Sequence, residues 1–500
     1  MSDDDDIPEP DWSALPGEIL GVIAHRFLIK LKDFIRFQAV CKTWRRALAA
    51  EDKLNHPRRR PRFTQSVPWL MLPYCRSSNM IRSSEAMAGC KGTDSCRCFF
   101  DVTEQRFHHI EVEMPEGFIN SRRTPTCCRG SSFGWLFMLQ RGPSLLLLNP
   151  LTGDRIWLPP ITSFPHVEGF RPEKVGCEYR FVMRGEKIAC GKMAMERRYI
   201  MKVALSSEPT SEDCVVMVIH SPEYPTLAFC RPMMRRGGDD EVWTEIPRDG
   251  DGFGYFTDVV FWRGQFYVMD EVGRISVCSI TAAPPKLSKF VVHPCPEISC
   301  KSYLVKSPDG GALMMVARNV IELEDDDDDD DGGLDEFLRN RALNHGHVSK
   351  AVSLDGADAY IMDRDDDDDG DGGDTAAAVR ADVNPAECQS LTGEFKVYKL
   401  NEDTMAWVEV ESIDDFAIFL GINSAACVST TDHPELGLIP NSVYYTDDMY
   451  DDHVRHKYAG SDMGVYNLAT RTVQPLYSIS SVHARPSLIS TIPVWILPSI

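Results

Sequence analysis

Two patterns of apolar and polar positions divide the chain. Between Trp12 and Leu48 apolar residues recur at helical spacing. Ile19, Ile23 and Phe27 lie at i, i+4 and i+8, and Leu20, Ala24 and Leu28 lie one step round. Val40, Trp44, Ala47 and Leu48 keep the same spacing and predict a last helix over about 40–50. Pro16 suits the first position of a helix, where its missing N–H costs nothing, and Asp11 and Ser13 offer cap oxygens just before it. Of the 37 residues 12–48, 21 are apolar, about 57% against 43% for the whole chain. They lie on more than one face of each helix. A unit this short builds only a small core, so its surplus apolar surface predicts a partner.

After about residue 68 the helical period gives way to short strand-like runs separated by turn signals. An apolar strand, a polar turn and a second strand recur. Leu145–Leu148 is followed by Asn149–Gly153 and Ile156–Leu158; Ile275–Val277 by a Pro-containing turn and Phe290–Val292. Phe395–Tyr398 is followed by Asn401–Asp403 and Trp407–Val410; Gly464–Tyr466 by Asn467–Thr470 and Thr472–Leu476. A less regular copy spans Val215–Trp243. Within Asp258–Asp270, Arg263-Gly264 forms the turn between two alternating strands, and Asp309-Gly310-Gly311 reads as another hairpin turn. Pro68–Pro73 reads as a buried strand or an edge segment. Hairpins spaced by roughly 60–80 residues suggest propeller blades, whose faces are buried by stacking in a ring. Periodicity alone leaves a large sandwich open. On the propeller reading five to seven blades are expected, with Trp157, Trp243, Trp262 and Trp407 as blade core.

Charge changes this picture only locally. The formal net charge is −22. Asp3–Asp6, Glu322–Glu336 and Asp363–Asp374 together carry 23 acidic residues against a single Arg364, so they account for all of it. The rest of the chain is neutral on balance, which argues against nucleic-acid binding. The runs Asp325–Asp331 and Asp365–Asp369 repel themselves and predict an extended, solvated insert over about 322–392, with a short helix over Leu334–Leu343 between them. No apolar run follows Met1, no glycosylation sequon is present, and no stretch approaches eighteen consecutive apolar residues. These features predict a cytoplasmic or nuclear chain without a membrane span, its sixteen cysteines mostly buried free thiols. The basic cluster Arg58-Arg59-Arg60 with Arg62 reads as a solvated linker.

Candidate chemistry is sparse. Asp365, Asp367, Asp369 and Gly370 begin like a calcium loop, but its twelfth position is Ala376 instead of Glu; Asp327, Asp329, Asp331 and Gly332 end on Leu338. Cys90, Cys96, Cys98, Cys127, Cys128, His108 and His109 form the densest thiol and imidazole region, yet Cys96-x-Cys98 is too tight and unmatched for a zinc site. His345-Gly-His347 falls in the acidic insert. No Gly-x-Ser-x-Gly elbow, phosphate-binding loop or His-Glu-x-x-His occurs. No cofactor, metal or catalytic constellation is therefore expected.

The stretch Trp12–Ala49 resembles an F-box. Leu15-Pro16, Glu18-Ile19-Leu20, Arg26-Phe27-Leu28, Asp33-Phe34, Arg36-Phe37, Val40-Cys41-Lys42 and Trp44-Arg45 fall in the family's order; Gln38 and Glu18 stand where the family often has Arg and Asp. The resemblance implies a three-helix unit that docks on the Skp adaptor of a cullin-based, SCF-type ubiquitin ligase. It places the adaptor contacts at Leu15, Pro16, Ile19, Leu20, Val40, Cys41 and Trp44. Further along, residues 146–160, Pro68–Pro73, Asn441–Asp448 and Gly464–Leu468 resemble the plant F-box family with a C-terminal kelch-like domain, long listed as of unknown function. The expected organisation is multidomain α and β: an acidic tail over 1–10, an F-box over 11–55, a linker over 56–67 and an all-β, kelch-like propeller over 68–500. The expected role is a non-catalytic substrate receptor holding the Skp adaptor, and through it a cullin, while the propeller binds a protein target. A protein-interaction module outside any ligase is the alternative. A propeller enzyme comes third and requires a convergent polar pocket at the propeller axis.

Overall fold

The computed structural model describes residues 11–27, 37 and 40–44 of the N-terminal segment. It describes most of 68–496, leaving out 72–95, 112–126, 233–241, 248–253, 291–300, 324–388, 449–461, 477–492 and some shorter gaps. The acidic tail, the linker, Cys90, both Asp runs, the expected helix at Leu334–Leu343 and His345-Gly-His347 lie outside the described residues. The chain forms two units, one of 1–67 with 497–500 and one of 68–496. In the first unit α1 spans Gly17–Phe27, with Glu18 in its first turn where the helix dipole favours an acid. Of the other expected helices only fragments are described: Phe37, Val40 and 42–44 are helical.

The second unit is built from antiparallel meanders. β1 (Trp69–Met71), β2 (Cys96–Asp101) and β3 (Arg106–Glu111) form one, and β4 (Cys127–Ser132), β5 (Trp135–Leu139), β6 (Leu145–Leu148) and β7 (Arg155–Leu158) the next. A three-stranded sheet follows from β8 (Val167–Phe170), β9 (Tyr179–Met183) and β10 (Glu186–Cys190). Then come β11 (Ile200–Leu205), β12 (Val216–His220), β13 (Thr226–Cys230) and β14 (Thr244–Ile246). The following blade holds β15 (Phe256–Trp262), β16 (Gln265–Asp270), β17 (Ile275–Ser279) and β18 (Lys286–Phe290). The next is β19 (Lys301–Lys306), β20 (Leu313–Leu323), β21 (Gln389–Asn401) and β22 (Ala406–Val410). The last sheet, from β23 (Phe416–Leu420), β24 (Ala426–Ser429), β25 (Ser442–Tyr445), β26 (Gly464–Asn467) and β27 (Thr472–Gln474), departs from the meander because β23 pairs with β25 in parallel. β28 (Val494–Ile496) returns to pair with β1 as the edge strand of the first sheet.

Six of the seven described sheets join in a ring. Successive sheets touch through β28, β4, β11, β15, β19 and β24. The circle closes where the Trp495 indole N–H donates to the Leu420 carbonyl at 3.0 Å and the Ser131 hydroxyl donates to the Trp495 carbonyl. Ser424 ties the last sheet to two others, its N–H donating to the Ser131 carbonyl and its hydroxyl to the Val203 carbonyl. The β8–β10 sheet stands outside the circle, since β4 and β11 touch directly. A ring of six falls within the expected five to seven and removes the sandwich alternative.

The core lies between sheets. One apolar cluster joins the β4–β7 and β11–β14 blades and takes in Val167, Tyr179 and Phe181 of the extra sheet. Others fill the β11–β14 to β15–β18, β15–β18 to β19–β22 and β19–β22 to β23–β27 interfaces. Turns follow their chemistry. Arg263 (φ 46°) and Gly264 (φ 81°) make the expected two-residue hairpin, with Gly264 taking the left-handed backbone cheaply. Asn401 accepts from the N–H groups of Asp403 and Thr404, and Asn467 from those of Ala469 and Thr470. Of the strand expected at Phe290–Val292, Phe290 ends the described strand Lys286–Phe290 and pairs with Ile275, and 291–292 lie outside the described residues. One expectation shifts. Trp243, Trp262 and Trp407 are buried, but Trp157 is 54% exposed, because β7 is an outer strand with only one face against a neighbour.

Trp495→Ala is expected to destabilise the 68–496 unit by about 3–5 kcal/mol in urea unfolding, through lost burial and an opened ring closure. Trp157→Ala is expected to change it by less than about 0.5 kcal/mol. Equal effects would show that β28 does not carry closure.

Candidate adaptor-docking surface

The N-terminal unit begins with a tight 3-10 turn at Trp12–Ala14, where the Ala14 N–H donates to the Asp11 carbonyl. Leu15-Pro16 then launches α1, and the Pro16 carbonyl accepts from Ile19 and Leu20 at 3.0 and 3.1 Å. The Trp44 indole N–H donates to the Trp12 carbonyl at 2.8 Å, closing the unit across 32 residues. Phe37, 4% exposed, lies 4.5 Å from the Trp44 ring and forms the wall behind it.

The seven expected contact residues do not share one environment. Pro16, Ile19 and Val40 are exposed, and Leu15, Cys41 and Trp44 are half-buried. Leu20 is fully buried. Two apolar residues outside the expected set are also exposed: Trp12 at 61% and Val22 at 54%. Val22 lies one helical turn from Ile19, a spacing legible in the sequence. Of the eleven exposed large hydrophobics among the described residues, four (Trp12, Ile19, Val22, Val40) fall in this small unit. Exposed apolar surface so concentrated is what a partner covers.

The inner strands of the propeller carry the other concentration of chemistry. Lys202 on β11 pairs with Asp258 on β15 at 3.1 Å, and Asp258 also accepts from the Leu304 N–H on β19 at 2.8 Å. Arg318 on β20 is fully buried and pairs at 2.8 Å with both Asp448 and Asp462. The Tyr303 hydroxyl donates to Asp448, and Lys301 pairs with the same carboxylate at 3.0 Å. Three cations face three carboxylates, so the network is neutral within itself. Burial would discharge Arg318, but Tyr303, Asp462 and Asp448 outweigh it and hold the guanidinium well above its usual range. Burial likewise opposes the charge on Asp448, and Lys301 and Arg318 overcome it, leaving the carboxyl below its ordinary range.

The dense thiol and imidazole region of the sequence is spread over two sheets. Cys98 and His109 are register partners on β2 and β3, Cys127 and Cys128 lie on a strand of another sheet, and the His108 ring stacks on Trp69 at 4.9 Å. Cys214, Cys230 and Cys278 are buried and unbridged.

A sequence profile described as KIB1-4 beta-propeller matches residues 99–467. A putative F-box protein of Arabidopsis thaliana is 26% identical over 60% of this chain and 66% of its own length, so the chain spans just under two thirds of that relative. A second Arabidopsis F-box protein is 24% identical over 87% of this chain and 91% of its own, and the F-box protein SKIP23 of the same plant is 22% identical over 93% and 91%. Among solved structures, the BBS1N chain crystallised with ARL6DN reaches a TM-score of 0.25 at 10% identity over 45% of this chain and 55% of its own, too slight a likeness to carry weight.

Asp448→Asn is expected to destabilise the propeller by about 3–5 kcal/mol near neutral pH, by leaving Arg318 and Lys301 under-compensated. The Asp448 pKa is lower folded than unfolded, so its contribution is present above the unfolded value near about 4 and lost as pH falls through the folded one. The gap between wild type and variant should therefore narrow in urea titrations below about pH 4. A gap independent of pH would show that the carboxylate's charge is not what stabilises.

Proposed function

The chain belongs to the KIB1-4 beta-propeller family and is a plant F-box protein with a propeller domain, and from that premise we propose that it serves as the substrate-recognition subunit of an SCF-type ubiquitin ligase. The N-terminal unit holds the Skp-type adaptor and through it a cullin; the propeller binds a protein target and presents its lysines to the charged ubiquitin-transferring enzyme. The receptor performs no bond chemistry and acts by proximity. The observation that carries this reading is the exposed apolar set around Ile19 and Val40, in a unit with the F-box order of Leu15-Pro16 and Val40-Cys41-x-x-Trp44. The self-neutralised network on the inner strands favours a binding scaffold over a propeller enzyme, since its charges are committed to one another. The compartment that fits is cytoplasm or nucleus.

Docking and folding roles are separable by position. Trp44 holds the Trp12 carbonyl and Leu20 is fully buried, so substitution at either confounds the two. Ile19→Asp with Val40→Asp changes exposed residues, and such surface changes alter stability by about 0.5 kcal/mol or less. In a pull-down with purified Skp adaptor, wild type should bind and the double variant should lose at least about tenfold in affinity. Absence of adaptor binding by the intact wild-type chain would sink the proposal. Reconstituted ubiquitination of partners that accumulate on the receptor under proteasome inhibition separates a ligase subunit from an interaction module.

A further inference from the structure

We infer that His166, His220 and Glu245 form a binding site for one divalent transition-metal ion of the zinc class. The three residues come from separate places. His166 lies just before β8 of the extra sheet, His220 ends β12 and Glu245 lies on β14. One donor atom from each falls within 4.8 Å of the others. His166 Nδ1 is 2.9 Å and His220 Nε2 is 3.4 Å from the same Glu245 Oε1. Donors held tetrahedrally around zinc at ~2.0–2.2 Å stand about 3.3 Å apart, so these spacings already suit a shared ion. The two imidazole rings lie 5.3 Å apart and 3° from parallel, so a turn of one ring is needed to aim both lone pairs at one ion.

The surroundings favour an ion as well. With Nδ1 of His166 on the metal, its Nε2 proton meets the Tyr199 hydroxyl at 3.0 Å, the outer-shell contact that fixes tautomer and ring orientation. His220 is completely buried, with its Nε2 turned to Glu245 and to the Thr226 hydroxyl, each at 3.4 Å. Phe164, stacked on Trp243 at 4.9 Å and 4.5 Å from the His220 ring, makes a dry wall on one side. Glu245 is 33% exposed and gives the ion a way in. Two imidazoles and one carboxylate select a borderline ion over calcium or magnesium, which take oxygen ligands. The ion would fasten the His166 segment to the β11–β14 blade. The cluster of Asp101, Glu104 and His108 differs, for Asp101 is occupied in capping the β2–β3 turn and His108 in stacking on Trp69.

The test uses the full-length protein with zinc as the probe. Wild type, Glu245→Gln and His166→Gln are dialysed against the same chelator-buffered zinc and analysed for metal; the Asp runs and cysteines are common to all three and cancel. Wild type should retain about one equivalent more than either variant, with affinity at this site reduced at least about tenfold in the variants. Zinc should raise the melting temperature of wild type and not of the variants, and cobalt in its place should give ligand-field absorption without thiolate charge transfer. Glu245→Gln keeps an acceptor for the His166 N–H, so the metal-free variant should melt close to wild type. Equal zinc content in all three proteins, or a wild-type melting temperature unmoved by zinc, would overturn the assignment and leave a hydrogen-bonded triad.

Discussion

A sheet with two apolar faces cannot stand alone in water, and the 68–496 unit depends on that constraint more than on any single contact. Among the described residues each main cluster lies between sheets, so each blade depends on its neighbours being in place. An open row would leave two terminal faces wet. The chain avoids this by laying β28, from its far end, against β1, so that the first sheet is sewn from both ends of the unit. Trp495 sits at that seam, fully buried, its ring against Phe419 and its N–H on the Leu420 carbonyl.

Apolar burial holds blades together but is indifferent to how they are rotated against one another. The charged network supplies what burial lacks. Lys202, Asp258 and the Leu304 N–H link three successive blades, and Arg318 reaches Asp448 and Asp462 beside the next sheet. A buried guanidinium is tolerable only with its carboxylates in place. The pairing therefore penalises wrong arrangements more than it rewards the right one.

How legible this was depended on whether the signal was local. The hairpin at Arg263-Gly264 and the Asn-led turns were readable because a few neighbouring residues dictate them. Burial of Trp243 followed from its strand context, whereas Trp157, with a similar local pattern, faces outward because of where β7 lies in its sheet. Closure by β28 and the inner-strand network join residues up to hundreds apart, and no local period announces them. The N-terminal unit was legible as a motif, yet that motif did not separate Leu20, which is buried, from Ile19, which is exposed, because the motif records residue order and burial depends on the packed chain around it.

The same reasoning explains why His166, His220 and Glu245 passed unnoticed in the sequence. Metal motifs are recognised when ligands share one helix or one turn, since fixed spacing then guarantees convergence. Here 54 residues separate the first ligand from the second and 25 the second from the third, and three different elements carry them. Only the ring, by setting β12 and β14 in one blade and packing the segment before β8 against it, makes them neighbours. In a repeat-built scaffold, chemistry assembled between elements is invisible to motif reading for the same physical reason that the blades are interdependent.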